Sequence, residues 1–122
     1  HAMRMRTSSG LSSSLVLFSV GAMEEAAEVE PNNEIEKAQP VAKNVTISGT
    51  CGTEDVEYFA IEAKKGEQIS AEVEGLRLGR VGFDPFVTIL DSNRKELARS
   101  DDAALGWYDA VTSVIAPTDG TY

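Results

Sequence analysis

The sequence predicts an all-β fold, an antiparallel β-sandwich, and three observations carry that prediction. Apolar and polar residues alternate at every second position over several short runs, these runs recur about every ten residues with turn formers between them, and no segment keeps a helical period. The clearest alternation sets Ile69, Ala71, Val73 and Gly75 against Gln68, Ser70, Glu72 and Glu74. In a strand this puts one set on each face, so one face is apolar and the other wet.

The other elements follow in chain order. Leu15 to Ala22 is a short apolar run, and two readings compete for it: a β-strand, or the core of a signal peptide behind Arg4 and Arg6. Length and composition favour the strand, and the run is too short for a bilayer, which takes about 20 apolar residues. His1, Ala2 and Met3 have the look of a cloning remnant. From Glu24 to Glu36 there are six glutamates and no Lys or Arg, which reads as an acidic linker or arm with a polar loop at Pro31-Asn32-Asn33. Ile35 to Ala38 can form one helical turn. Val45 and Ile47 alternate with Thr46 and Ser48, and Phe59, Ile61 and Ala63 with Tyr58 and Glu62. Lys64-Lys65-Gly66 then reads as the turn of a hairpin joining that strand to the one at 68–75.

Phe83 to Ala98 reads as a second hairpin, with Phe86 to Leu90 as a core strand and Asp91-Ser92-Asn93 as its turn. Arg77 and Arg80, in the glycine-rich connection before it, are expected in solvent. Val111 to Ala116 is a last apolar strand whose broken alternation predicts a bulge. Pro117 to Gly120 makes a turn, and Thr121-Tyr122 opens a further strand, so the sandwich is expected to lack its last strand. The unpaired edge this leaves predicts self-association, or completion by the segment at 15–21. The resulting division is 1–22 as remnant plus upstream strand or signal-like segment, 23–43 as acidic arm, and 44–122 as sandwich.

The charge pattern excludes several functions. The 122 residues carry 11 basic and 20 acidic side chains, a net charge of −9, which repels phosphate backbones and disfavours nucleic-acid binding. One cysteine, Cys51, allows no disulfide within the chain, and the one histidine, His1, leaves no Ser–His or Cys–His pair. Cys51 is expected to be an inert thiol. Asp101-Asp102 with Asp84 and Asp109 invites a carboxylate-pair or cation-site reading, but adjacent acids after a strand more often cap backbone N–H groups. The Asn44-Val45-Thr46 sequon is read as accidental.

In order along the chain, Glu30-Pro31-Asn32-Asn33, Ile47-Ser48-Gly49, Asp55 to Ile61, Ala63 to Glu67, Phe83 to Asp91, Ser100-Asp101-Asp102 and Ala116 to Tyr122 form a recognisable series. Over residues 28–122 the chain resembles the bacterial pre-peptidase C-terminal domain. The connection Arg77-Leu78-Gly79 and the upstream Phe18-Ser19-Val20-Gly21 resemble the planctomycete version. The resemblance implies a jelly-roll-like sandwich that is not itself an enzyme. It implies a secreted, cell-surface or periplasmic location within a larger polypeptide. The expected role is an accessory module attaching to substrate, extracellular protein (collagen among them) or polysaccharide. The alternative is a processing or folding segment of an exported peptidase with no ligand of its own.

The clostridial collagenase collagen-binding domains are distant relatives within this resemblance, and in them an N-terminal arm and a nearby loop share Ca²⁺. The implied ligands here are Glu28, Glu30, Asn32 and Asn33 from the arm and Glu54 and Glu57 from the loop. Asn33 stands where an Asp would, and the later acids are Glu rather than Asp. Calcium takes roughly six to eight hard oxygens and tolerates irregular loops, and alternation puts Glu28 and Glu30 on one side of an extended arm. The competing reading is a solvated acidic linker. Trp107 and Tyr108, in a glycine-containing loop, are candidates for an aromatic ligand platform, against the alternative that Trp107 covers the end of the core.

Overall fold

The computed structural model describes residues 1–4, 6–11, 15–79, 82–101 and 109–122. The fold is all-β, as the two-residue alternation predicts and as a β-sandwich requires; among the described residues the helical elements are two single 3-10 turns, Ile35–Lys37 and Leu76–Leu78. Two compact units divide the chain: His1–Gly21 with Gln68–Ile115, and Ala22–Glu67 with Ala116–Tyr122.

The first unit is built on antiparallel pairs. Strand Gln68–Val73 pairs along its whole length with Ala110–Ile115, from Gln68 opposite Ile115 to Val73 opposite Ala110. The apolar set read from the sequence turns inward: Ile69 is buried, as is Ala110, while Gln68, Ser70 and Glu72 are exposed. Strand Val87–Leu90 pairs with Glu96–Ser100 and buries Ile89. Its turn is organised by Asp91, whose Oδ1 accepts from the N–H groups of Asn93 (2.8 Å) and Lys95 (3.0 Å). Arg94 there takes φ +65°, the left-handed conformation a tight return demands.

Three expectations need correction. Phe86 is 67% exposed, outside the core, because the strand begins only at Val87. The bulge lies between Ile89 and Leu90, and the register of Ala110–Ile115 is unbroken; its irregular alternation instead leaves Val111 and Ile115 in solvent. The hairpin at Lys64-Lys65-Gly66 does not form. The turn itself exists, with Glu67 N–H donating to the Lys64 carbonyl at 2.9 Å, but its flanking strands choose other partners. Arg77 is exposed as expected, though its guanidinium is paired, and Arg80 lies outside the described residues.

Arg77 takes part in the tightest polar arrangement of this unit. Asp109 is 1% exposed, and its carboxylate accepts from Gly75 N–H (2.8 Å), Arg77 N–H (3.3 Å) and Arg77 Nε (2.6 Å). The same guanidinium reaches Glu72, and Glu74 at 3.6 Å. The bonds to Glu72 and Asp109 hold Arg77 further above its usual range. Gly75 is required here for a second reason: a Cβ on it would collide with the Phe83 ring. Asp109 is therefore a structural acid, which disposes of its reading as part of a carboxylate pair.

The apolar segment Leu15–Ala22 forms a strand only at Val16–Leu17, paired with Ala2–Met3. Leu15, Val16, Leu17, Phe18 and Val20 remain exposed. Leu17 lies in contact range of Gly79 in the connection after the Leu76–Leu78 turn.

In the second unit the acidic arm is a paired strand. Glu24–Ala27 runs parallel to Val45–Ser48, with Glu24 opposite Val45 and Ala27 opposite Ser48, and Gln39–Pro40 runs parallel to Phe59–Ala60. These two parallel pairs add to the antiparallel arrangement read from the sequence. Glu62–Ala63 pairs antiparallel with Gly120–Thr121, and Ala63 and Ala116 are both buried. The Gln39 amide completes the arm: its Oε1 accepts from Val29 N–H (2.8 Å) and its Nε2 donates to the Ala27 carbonyl (3.0 Å). Ile35–Lys37 forms the expected single turn.

Replacing Asp109 by alanine removes the shared acceptor of two backbone N–H groups and of Arg77. The expected loss is about 3 kcal/mol, the cost of stripping several charge-assisted bonds from a buried site. It reads as a lower urea midpoint with an unchanged slope. A variant that melts like wild type would mean the acid is dispensable.

Candidate metal centre

Pairing of the arm with Val45–Ser48 brings Glu28 beside the loop that follows that strand. Glu28 N–H donates to the Ser48 carbonyl (3.0 Å), and Thr50 N–H donates to Glu28 Oε2 (2.9 Å). Gly49 makes the approach possible, since a Cβ there would occupy the space of the Glu28 carboxylate. Two residues on, Glu30 Oε2 accepts from Asn32 N–H (3.1 Å), and the Asn32 carbonyl accepts from Tyr58 N–H (2.9 Å). That last bond fixes the arm against the segment carrying Glu57.

As a result carboxylate oxygens of Glu28, Glu30 and Glu57 lie within 4.8 Å of one another. Both oxygens of Glu57 are buried, and no donor among the described residues reaches them. Asn32 is fully buried, at 0% exposure, and neither its Oδ1 nor its Nδ2 has a partner among the described residues. A buried carboxylate and a buried amide with nothing to bind are rare, because each lost partner costs free energy. Burial, followed by the carboxyl group of Glu28 against it and the charges of Glu28, Asp55 and Glu30, pushes Glu57 up to about 7. Without a cation, Glu28 and Glu57 can stand in contact by sharing a proton.

Asp55 is positioned differently. Its carboxylate accepts from Gly52 N–H (2.9 Å), Asn33 Nδ2 (2.6 Å) and Val56 N–H (3.2 Å), and these donors, the Gly52 N–H foremost, hold it below its ordinary range. Oxygens of Asp55 and Glu57 also lie within 4.8 Å of Cys51 Sγ. The exposed Cys51 thiol is pushed up by desolvation and then by Asp55, Glu57 and Glu28.

Of the six ligands implied by the sequence, the structure draws Glu28, Glu30 and Glu57 together and ties Asn32 to them through its backbone. Asn33 is engaged with Asp55 through its amide nitrogen. Glu54 is exposed, takes φ +58° and belongs to neither ligand group. Asp55 is the acid that sequence spacing missed, and its nearness to Asn33 depends on a contact 22 residues apart in the chain. Trp107, Tyr108 and Asp102 lie outside the described residues, so the aromatic platform has no geometry to rest on. Among the described residues no helix is long and apolar enough to cross a membrane.

The chain is 32% identical over 96 residues to a probable subtilase-type serine protease of Deinococcus radiodurans. The match takes in 76% of this chain and 13% of that protein. No family model matches the chain, and no solved structure matches it significantly. The likeness is thus to a small part of a peptidase, compatible with a domain carried by one.

The acidic cluster has a pH signature in the absence of divalent cations. Glu57 holds its proton to higher pH in the fold than in the unfolded chain, so between about pH 4.5 and 7 the folded state binds more protons. Stability from this group is therefore full below that window and lost as pH rises through it. Thermal melts in chelator are expected to show a falling midpoint from pH 5 to pH 7.5. Glu57→Gln should remove that fall and melt higher than wild type at pH 7.5; an identical pH profile for the two proteins would refute the burial of this carboxylate.

Proposed function

We propose that this chain is a non-catalytic accessory segment of an exported serine peptidase, with a calcium ion as its structural cofactor. The observation that supports the carrier is its likeness to 13% of a subtilase-type protease. The chain offers one histidine, at position 1, and a Ser–His–Asp triad needs its histidine held between acid and nucleophile. The chemistry of peptide hydrolysis belongs, in this reading, to another part of the polypeptide. Export follows from the carrier, since subtilase-type peptidases typically act outside the cell.

The single observation that supports calcium is the convergence of Glu28, Glu30 and Glu57 oxygens within 4.8 Å, with no donor among the described residues on the buried Glu57 oxygens or partner on the buried Asn32 amide. Carboxylate oxygens and an amide carbonyl are the hard donors that Ca²⁺ prefers, and an irregular loop opposite an extended arm suits its loose geometry. Glu28, Glu30 and Glu57 would hold the ion, with the Asn32 Oδ1 as the candidate neutral ligand. The ion supplies the positive charge that the cluster lacks. Its effect is structural: it fixes the arm around residues 28–32 against the loop that ends at Tyr58. That makes the segment a folding or processing element whose rigidity depends on external calcium.

Isothermal titration of the metal-free chain with Ca²⁺ tests the cofactor. Binding is expected, with a melting temperature that rises with calcium concentration as linkage requires. Glu57→Gln and Asn32→Leu are each expected to weaken it about tenfold or more. No heat at millimolar Ca²⁺ would leave the acids as a solvated cluster. A fluorophosphonate probe tests the catalytic assignment: the chain alone should not be labelled, and stoichiometric labelling of a serine would make it an enzyme.

A further inference from the structure

The first 23 residues differ in charge from all that follows: they hold Arg4 and Arg6 and no acid, while the other nine basic and all 20 acidic side chains come after them. We propose that this segment is a docking surface for an anionic lipid bilayer. Leu15, Val16, Phe18 and Val20 enter the boundary of the acyl chains, and Arg4 and Arg6 meet lipid phosphates. The inference goes beyond the peptidase reading and uses none of the acids of the candidate metal centre.

Exposure and topology carry it together. Leu15 is 58% exposed, Val16 51%, Phe18 39% and Val20 66%, a continuous apolar run in water. Apolar side chains gathered at a surface in this way mark a place for a partner. The antiparallel pairing sets Ala2 opposite Leu17 and Met3 opposite Val16, and the same register continued sets Arg4 level with Leu15. Arg6 follows two residues on, in the short pair with Gly10–Leu11. Both arginines are exposed, so cationic and apolar side chains stand side by side.

The chemistry then chooses the partner. A second copy docking patch to patch would set Arg4 and Arg6 against their own kind, which opposes association. An anionic bilayer takes both components: it receives the apolar side chains and supplies phosphates to the guanidinium groups. The run is too short to span a bilayer, and no described helix is long and apolar enough to cross one, so the contact is interfacial. The acids of the chain do not cancel the attraction. At physiological ionic strength, charges more than about 8 Å away are largely screened. Glu74, which borders the same cleft as Phe18 and Val20, lies 3.6 Å from the Arg77 guanidinium.

Co-sedimentation of the full chain with vesicles of equal parts phosphatidylglycerol and phosphatidylcholine, in chelator, tests the proposal. Binding is expected, weakening as salt rises, with none to phosphatidylcholine alone. Arg4→Ala and Arg6→Ala should each weaken it about fivefold. Leu15→Ser combined with Val20→Ser, both outside the paired strand residues, should weaken it about tenfold or more at an unchanged urea midpoint. Wild type that stays in the supernatant, or binding that the two serines leave intact, overturns the proposal. Binding that appears only when Ca²⁺ is supplied also overturns it, by assigning the contact to the acidic cluster. So does a dimer in sedimentation velocity that the two serines dissolve and that ignores the vesicles, since it gives the surface to a second copy. Calcium binding is read from titration heat and the peptidase reading from the fluorophosphonate probe, so each fails separately from this one.

Discussion

Two carboxylates cannot remain charged in contact inside a protein unless something positive comes between them, and Glu28 and Glu57 impose that constraint on their unit. The energy of bringing like charges together in a buried place is several times its value in water, so the contact persists only with a proton or a cation in it. The local architecture serves this contact. Gly49 leaves room for the Glu28 side chain, Thr50 N–H holds one of its oxygens, and the Asn32–Tyr58 backbone bond holds the arm against the loop bearing Glu57. An arm rich in glutamate would otherwise repel an acidic loop.

The other unit handles a buried charge in the opposite way. Asp109 meets its neutralising partner within the fold: Arg77 and two backbone N–H groups surround it, so the acid is satisfied without anything from solvent. The two acids mark the difference between a structural and a functional carboxylate. Asp109 is sealed and fully used; the Glu57 oxygens are sealed with other carboxylates against them and no donor to them among the described residues. A buried polar group left without a donor is where an external ligand is to be sought.

Glu57 belongs to both groups of converging ligand atoms. On one side are only hard oxygens, on the other a sulfur and a pre-set aspartate. The arm and loop hold the candidate ligands, and the hairpins of the other unit carry its regularity.

The period of two in the sequence determined the all-β class, the faces of Gln68–Val73, the Asp91 turn and the common side of Glu28 and Glu30, because each depends on residues a few positions apart. Strand partners are a different matter. Alternation says which face is apolar but not which neighbour supplies the hydrogen bonds, so the return of Gln68–Val73 onto Ala110–Ile115 rather than onto Phe59–Ala63 belongs to the tertiary structure. The same holds at the site. Two acids three apart are legible as a pair, yet the left-handed backbone at Glu54 leaves that side chain in solvent while Asp55 faces Asn33. Burial decided the rest: of the six ligands the resemblance implies, folding took the Asn32 amide and the Glu57 oxygens out of water with no donor to them among the described residues.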